Sequence, residues 1–459
     1  MKSLFLGQLM LAAVVVLASS AATAEKLEYK QCVTIALAQN PELSISRAQI
    51  EQAEASVRQA QGNKMPRVNL SLTATRSNDA LNAFGMMLGQ RGATFNDFGA
   101  AEFTGPGALG VTPHNLNHPD AVNNFNTRIE LLVPVYNGGM VQSYVDTAKA
   151  YVRAAQSGDE VARQQLAKHV LMAYQGVHTA RAYIKLAAEA RVAAEEYVRI
   201  SDKLHKQGMA VKSDVLSAKV NLEDVKVKGV EAKNAEAAAL NQLALLMGKS
   251  LDEPLDVGAP VTPEMLAGSP ADLRAQALNE HAGLRALRNQ VEGAGAQVGA
   301  ARAGKKPQFN VMLRQDWNDE NLGLDASSYT VAGVLSWSAF DGGINNANID
   351  RAAAQRAELV AKLRQAEEGI GYQVTDARRK ALEAEEKIVA REAGVEQALE
   401  AQRLVKKRYE NSMATLIELL GAQAQLDKAN AELVAARYEL AVNRAELKRS
   451  VGVLAADSL

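Results

Sequence analysis

A few clusters in this chain have residue types that could do chemistry. Gly293-Ala294-Gly295-Ala296-Gln297-Val298-Gly299 resembles a glycine-rich nucleotide loop, in which backbone amides approach phosphate closely. It misses the glycine spacing of that loop and aligns with Gln52 to Arg58, a helical stretch that follows no strand, so close helix packing is the expectation. His114 and His118 stand four apart, as two metal ligands could. Pro113 and Pro119 flank them, so no helix is expected to hold both on one face, and no metal site is expected. Cys32 is the single cysteine and cannot pair within its own chain; Tyr29-Lys30-Gln31 before it does not match a lipidation site, which leaves a structural or free thiol. Arg403, Lys406, Lys407 and Arg408 precede a leucine heptad as in a basic DNA-binding zipper. A matching copy at Arg199 to Lys206 and the export signal described next argue against nucleic acid. No nucleophile, paired-carboxylate or metal constellation has adequate spacing, so neither an enzyme nor a cofactor is expected.

The elements that carry these residues are unusually long. Proline is missing from residues 135–253 and 308–459, and the chain is rich in alanine, which favours extended helix. With 51 basic and 52 acidic side chains the net charge is −1, which gives no electrostatic case for a nucleic-acid partner. Residues 1–24 have the pattern of a secretory signal: Lys2, an apolar run from Leu11 to Leu17, and Ala22-Thr23-Ala24 before Glu25. No later apolar run reaches the length of a spanning helix.

The chain also repeats itself. Residues 43–69 align without a gap on 284–310, with Leu43, Arg47, Gln49, Lys64 and Pro66 meeting Leu284, Arg288, Gln290, Lys305 and Pro307. Gly138-Gly139, Arg199, Lys203, Met209-Ala210 and Gly248 meet Gly342-Gly343, Arg403, Lys407, Met413-Ala414 and Gly452. The first offset is 241 (284 − 43) and the second 204 (342 − 138), so the first half carries an insertion between Asn69 and Gly138. The expected organisation is a signal at 1–24, one repeat at 25–248, a proline-rich linker at 249–270 and a second repeat at 271–459. Residues 140–207 and 344–411 should each form one helix on the order of 100 Å long. Leu419, Leu426, Leu433, Leu440 and Leu447, with Ala422, Ala429 and Ala436, make a heptad seam; Ile370, Val374, Ala377, Ala381, Ala384 and Ile388 continue the spacing on the preceding helix.

Four segments alternate with period two: about 67–76, 126–135, 308–317 and 328–337. About ten tilted residues is the length of a spanning β-strand. Trp317 and Trp337 close two of these strands, at positions that suit the two faces of a bilayer. Four strands cannot close a barrel, and open edges do not survive in lipid, so spanning strands require several copies. The insertion at 77–125, with Phe84, Phe95, Phe98, Phe103 and Phe125, should lie outside the cell or fold into the mouth; a flexible surface loop is the alternative.

Three stretches make the chain recognisable: Ala36-Leu37-Ala38-Gln39-Asn40-Pro41-Glu42-Leu43, Val133-Pro134-Val135-Tyr136-Asn137-Gly138-Gly139, and Ser338-Ala339-Phe340-Asp341-Gly342-Gly343. With the twofold order of helix, strand pair and helix pair, the chain resembles the TolC family of outer-membrane efflux proteins. The resemblance implies a mainly α protein with a β-barrel contribution: a homotrimer whose twelve-stranded barrel continues into a long α-helical coiled-coil periplasmic tunnel. It implies a passive exit duct in the outer-membrane lipid, in a tripartite efflux or type I secretion system, joined by a periplasmic adaptor to an inner-membrane pump of the RND or ABC type. The entrance would lie at two helix turns, with Gln207, Gly208, Met209, Ser412 and Met413 in contact with the adaptor. By the same resemblance Asp214 and Glu418 match acidic constriction positions and Tyr409 a gating tyrosine. The family's gating arginine falls at Ala414 and its innermost acidic ring at Gly421, both departures. The competing expectation is a soluble periplasmic coiled-coil scaffold or adaptor.

Overall fold

The computed structural model describes residues 26–454; the signal sequence expected at 1–24 lies outside the described residues. In chain order the elements are β1 (Lys26–Leu27), α1 (Tyr29–Gln39), α2 (Pro41–Gly62), β2 (Arg67–Ser77), α3 (Ala80–Gly89), α4 (His114–Asn117), β3 (Val122–Tyr136), α5 (Met140–Lys206) and α6 (Lys212–Leu246). They continue with β4 (Asp256–Val257), α7 (Pro270–Glu280), α8 (Ala282–Ala303), β5 (Gln308–Asp319), β6 (Ala326–Ser336), α9 (Ile344–Glu410) and α10 (Leu416–Val451). Three 3-10 turns, Phe95–Phe98, Ala100–Glu102 and Pro106–Ala108, lie between α3 and α4. Helices α5 and α9 each run 67 residues, ending one residue short of the expected bounds. The strands are longer than expected, most of all β3, which begins at Val122. His281 separates α7 from α8, and the linker is not wholly irregular, because β4 pairs in parallel with β1.

The chain divides into two compact units, and α5 and α9 contribute residues to both. One unit combines the segment up to Ser44 with Val161–His281 and the chain from Ile370. Its core packs Tyr29, Cys32, Val33 and Ala36 of α1 against Leu166, Val170, Leu171, Tyr174 and Val177 of α5, with Leu243 of α6. Burial pushes the Cys32 thiol up to about 11, so this cysteine is an inert core residue at neutral pH. The expected seams are buried in part: Val374, Ala381, Ala384, Leu419 and Leu447 are buried, whereas Ile388, Ala422, Ala429, Leu433 and Leu440 are half-buried, and small alanines let neighbouring helices approach closely.

The second unit, Ile45–Glu160 with Ala282–Gly369, holds a four-stranded antiparallel sheet in the order β2-β3-β5-β6. The register places Val68, Leu131, Leu313 and Val331 in one row across all four strands. Leu70 pairs with Ile129 on the same face. Asn69, Glu130, Arg314 and Thr330 form a row on the other face. Pro134 lacks the amide a regular ladder needs, and β3 is bulged between Pro134 and Tyr136. Below the sheet α8 lies close on α5: a Cβ on Gly293 would stand 3.3 Å from that of Ala150, which is the packing role expected for the glycine run.

The two Gly-Gly joints are unequal. Gly138 and Gly342 have φ of +67° and +64°, but a Cβ on Gly138 would meet the Ala303 carbonyl at 2.9 Å, whereas Gly342 faces open space. Both alanine substitutions incur left-handed backbone strain, of about 1–3 kcal/mol. Gly138→Ala should therefore lower the thermal unfolding midpoint in detergent, followed by circular dichroism, clearly more than Gly342→Ala. Equal shifts would show that the carbonyl contact is not a constraint.

Candidate functional site

At one end of the first unit the long helices reverse through two related turns. In the first, the Gly208 amide donates to His205 O (2.9 Å) and the Met209 amide to Leu204 O (2.9 Å). In the second, Ser412 donates to Tyr409 O (2.9 Å) and Met413 to Arg408 O (2.8 Å). Both are left-handed helix terminations, with φ of +79° at Gly208 and +58° at Ser412. The serine is thus held where glycine is normally preferred, so its substitution in the sequence leaves the turn geometry unchanged. The two turns touch: Ser412 Oγ donates to Met209 Sδ at 3.6 Å. Gln207 and Met413 are exposed beside them.

Behind the turns all four helices meet in one apolar cluster. It comprises Tyr197, Ile200 and Leu204 of α5, Ala218 of α6, Tyr409 of α9, and Leu416 and Leu419 of α10. Two polar links cross it. Ser201 Oγ and the Tyr409 hydroxyl lie 2.7 Å apart, both buried. The Tyr197 hydroxyl donates to Gln423 Oε1 (2.6 Å) and accepts from Gln402. Burial holds the Tyr409 hydroxyl above its ordinary pKa, and the nearby Asp214 charge adds to this, so it stays protonated as a hydrogen-bonding group. Gln423 also donates to Asp427 Oδ1 (2.8 Å), a half-buried carboxylate whose pKa is raised by burial.

The two acidic positions differ in use. Glu418 forms a capping box with Thr415, accepting from the Thr415 amide (2.7 Å) while its own amide donates to Thr415 Oγ1 (3.2 Å). Those contacts, the backbone amide first, hold its pKa below the usual carboxylate range. Asp214 occupies the same first-turn place in α6, but its N-cap is Val211, which offers no side-chain cap. Ala414 packs against the apolar cluster, and a Cβ on Gly421 would have nothing within 4 Å.

The sheet forms the other candidate surface. Its apolar face is exposed: Val68, Leu70, Leu72, Tyr329 and Val331 are each 57–81% accessible. On the polar face Asp316 binds Arg128 Nε (2.7 Å) and Arg314 Nε (2.8 Å), and Asn126 donates to Asn318 Oδ1 (3.0 Å). Trp317, expected to close β5, lies two residues inside its end, because the strand runs on to Asp319. Trp337 follows β6 and donates its indole N–H to Lys305 O (3.1 Å), at the opposite end of the sheet from Trp317.

The family model described as Outer membrane efflux protein matches residues 33–249 and 273–453. The chain belongs to the outer membrane efflux protein family. It is similar to the toluene efflux pump outer membrane protein TtgC of Pseudomonas putida, 24% identical over 326 residues, covering 68% of this chain and 66% of that protein. It is similar also to the alkaline protease secretion protein AprF of Pseudomonas aeruginosa, 27% identical over 304 residues, covering 63% of this chain and 62% of that one. These matches span slightly less than two thirds of each relative. The fold matches solved CusC with a TM-score of 0.77 at 16% identity, covering 94% of this chain and 93% of that one. Membership in this outer-membrane family displaces the soluble scaffold or adaptor.

The remaining clusters carry no such role. Contrary to expectation, α4 does bring the two histidines together: their ring centroids are 5.1 Å apart. Pro113 sits at the N-cap, where its missing amide costs nothing, and Pro119 lies beyond the turn, so neither breaks it. Among the described residues no group of three or more His, Cys, Asp or Glu side chains could hold a metal ion. Ser201, Tyr197, Gln402 and Gln423 were not expected from sequence. Their signal was a hydroxyl, Ser201, on an apolar seam between Tyr197 and Leu204 at four-three spacing.

Tyr409→Phe keeps the buried ring and deletes one neutral hydrogen bond, a net cost of about 0.5–1.5 kcal/mol. Amide exchange at the two turns should accelerate up to about tenfold, while the Leu166–Val177 core is unaffected. Unchanged exchange at both turns would remove this link.

Proposed function

We propose that the chain forms a homotrimeric outer-membrane duct, a passive exit for solutes or polypeptides moved by an inner-membrane RND or ABC pump through a periplasmic adaptor. The observation that carries the reading is the sheet: four strands, one apolar exposed face, one polar face, and unpaired edges on β2 and β6. Backbone groups on such edges must be paired in lipid, and known barrels begin at about eight strands. Three copies joined β6 to β2 close the ring, turn the apolar faces to lipid and the polar faces to water. Leu216, Val220, Val227 and Val230 support the same reading: they leave α6 with an exposed apolar stripe, 53–61% accessible, for a neighbouring copy's helix to cover. The similar proteins include one named for efflux and one named for secretion, so the cargo class stays open between small molecules and polypeptides. The duct does no bond chemistry. The repeat boundaries at 25–248 and 271–459 fit this assembly, each repeat supplying two strands and one long helical hairpin.

In this reading the paired turns form the periplasmic entrance, where Gln207, Gly208, Met209, Ser412 and Met413 meet the adaptor. The Ser201–Tyr409 link ties the two hairpins of one protomer there, and its loss lets the helix ends part. Trimeric Asp214 and Glu418 form acidic rings whose focused field favours cations. Trp317 and Trp337 lie near opposite interfaces of the bilayer.

Oligomers extracted only with detergent, with single-channel conductance in planar bilayers, are the expected result; monomers soluble without detergent would overturn the proposal. Asp214→Asn with Glu418→Gln removes the charge while glutamine still completes the capping box. The pair should weaken cation selectivity and block by polyvalent cations without uncapping α10. Selectivity equal to the parent channel would dismiss the acidic rings.

A further inference from the structure

The inserted segment is folded across the sheet. Asp79 caps α3 by accepting from the Asn82 amide (3.0 Å), immediately after β2 ends at Ser77. At the other end of α3, Gln90 Nε2 donates to Asn123 O (2.7 Å) and to Asn124 Oδ1 (3.0 Å) on β3. A Cβ on Gly89 would stand 3.5 Å from Asn318 Cγ on β5. Arg91 then donates to Ser327 O (2.7 Å) on β6. The segment therefore leaves β2 and, within Gly89–Arg91 at its far end, touches β5, β3 and β6. The ten residues of α3 cover about 15 Å, and three interstrand spacings cover about 14 Å, so the helix has the length needed to cross the sheet.

The face it crosses is the polar one. Asn318 pairs with Asn126 in the register, two residues from the Arg128–Asp316 pair, and Asn124 lies on the same side. Asn124 is only 8% exposed, and Arg91 is held at a φ of +57°, which a non-glycine residue adopts only when its surroundings require it. The Phe84 and Phe98 rings, 4.7 Å apart and edge to face, brace α3 against the following turn.

We propose that Ala80–Arg91 is a strap over the outer mouth of the duct, anchored by Gln90 and Arg91 and released when those anchors break. The inference rests on the channel reading, in which the polar face lines the lumen. Three straps then narrow one mouth of the barrel, so that passage is limited there as well as at the turns. Leu81, Leu88 and Phe95 on and beside the strap are exposed and line that aperture with apolar surface.

The test locks and frees the strap in the full-length protein. A Cβ at Gly89 lies 3.9 Å from Asn318 Cβ, within the range of about 3.5–4.5 Å that a disulfide spans. Gly89→Cys with Asn318→Cys, in a Cys32→Ser background, should give one low conductance level when oxidised, rising several-fold with dithiothreitol. Gln90→Ala with Arg91→Gly removes both anchors while glycine tolerates the left-handed backbone, and should raise conductance without reductant. Parental conductance in both the freed variant and the oxidised variant, with the cross-link verified by mass spectrometry, would overturn the strap and leave the channel standing. A parent protein that does not conduct at all would instead fail the channel reading.

Discussion

Unpaired strand edges are the constraint on which the rest of this protein depends. A backbone amide or carbonyl left open in hydrocarbon costs several kcal/mol, and β2 and β6 each present a row of them. One copy has four strands and cannot satisfy its own sheet. In the proposed channel the remedy is two further copies, and the same requirement then reaches the helices, because each hairpin would leave an apolar stripe for its neighbour. In that proposed assembly the exposed valines of α6 and the exposed apolar face of the sheet would answer the same demand in two different solvents.

Alanine is how the helices meet that demand. Long helices with bulky seams would stand too far apart for their backbones to share a narrow wall, whereas Ala377, Ala381 and Ala384 of α9 and Ala436, Ala441 and Ala445 of α10 are buried with little volume. Two polar links stand out among the helices behind the turns. Ser201 with Tyr409, and Tyr197 with Gln402 and Gln423, place hydrogen bonds inside an apolar cluster, where an unmade partner is costly and a made one fixes register.

The turns show how a repeated plan diverges in detail. Gly208 and Ser412 carry the same left-handed termination, yet the helices after them start differently: Thr415 and Glu418 make a full capping box, while Val211 gives Asp214 no such partner. One acidic residue is therefore held by its own helix start and the other is not. The histidine pair is a second lesson. Prolines at 113 and 119 suggested that no helix could join the rings, but proline breaks a helix only from inside, and one turn fits between them.

Much of the fold was legible in the sequence because its signals are local and periodic. Proline-free alanine-rich runs specify long helices, the four-three spacing of Leu419 to Leu447 specifies their seam, and period-two alternation specifies strands with one apolar face. Strand limits were less legible: β3 starts at Val122 rather than near 126 because pairing with Ser77, Arg76 and Thr75 extends it, and a partner's reach is not written in the strand itself. Of the candidate site, the turns and their acids could be placed by matching residues, but Ser201 could not be joined to Tyr409 from spacing alone. The 77–125 segment had no period to read. The sequence by itself determined the long helices and the four strands of the sheet, and that four strands alone cannot close a barrel. Only the tertiary structure decided that α3 crosses the polar face and that Tyr409 meets Ser201, because both are contacts between side chains far apart in the chain, set by packing rather than by pattern.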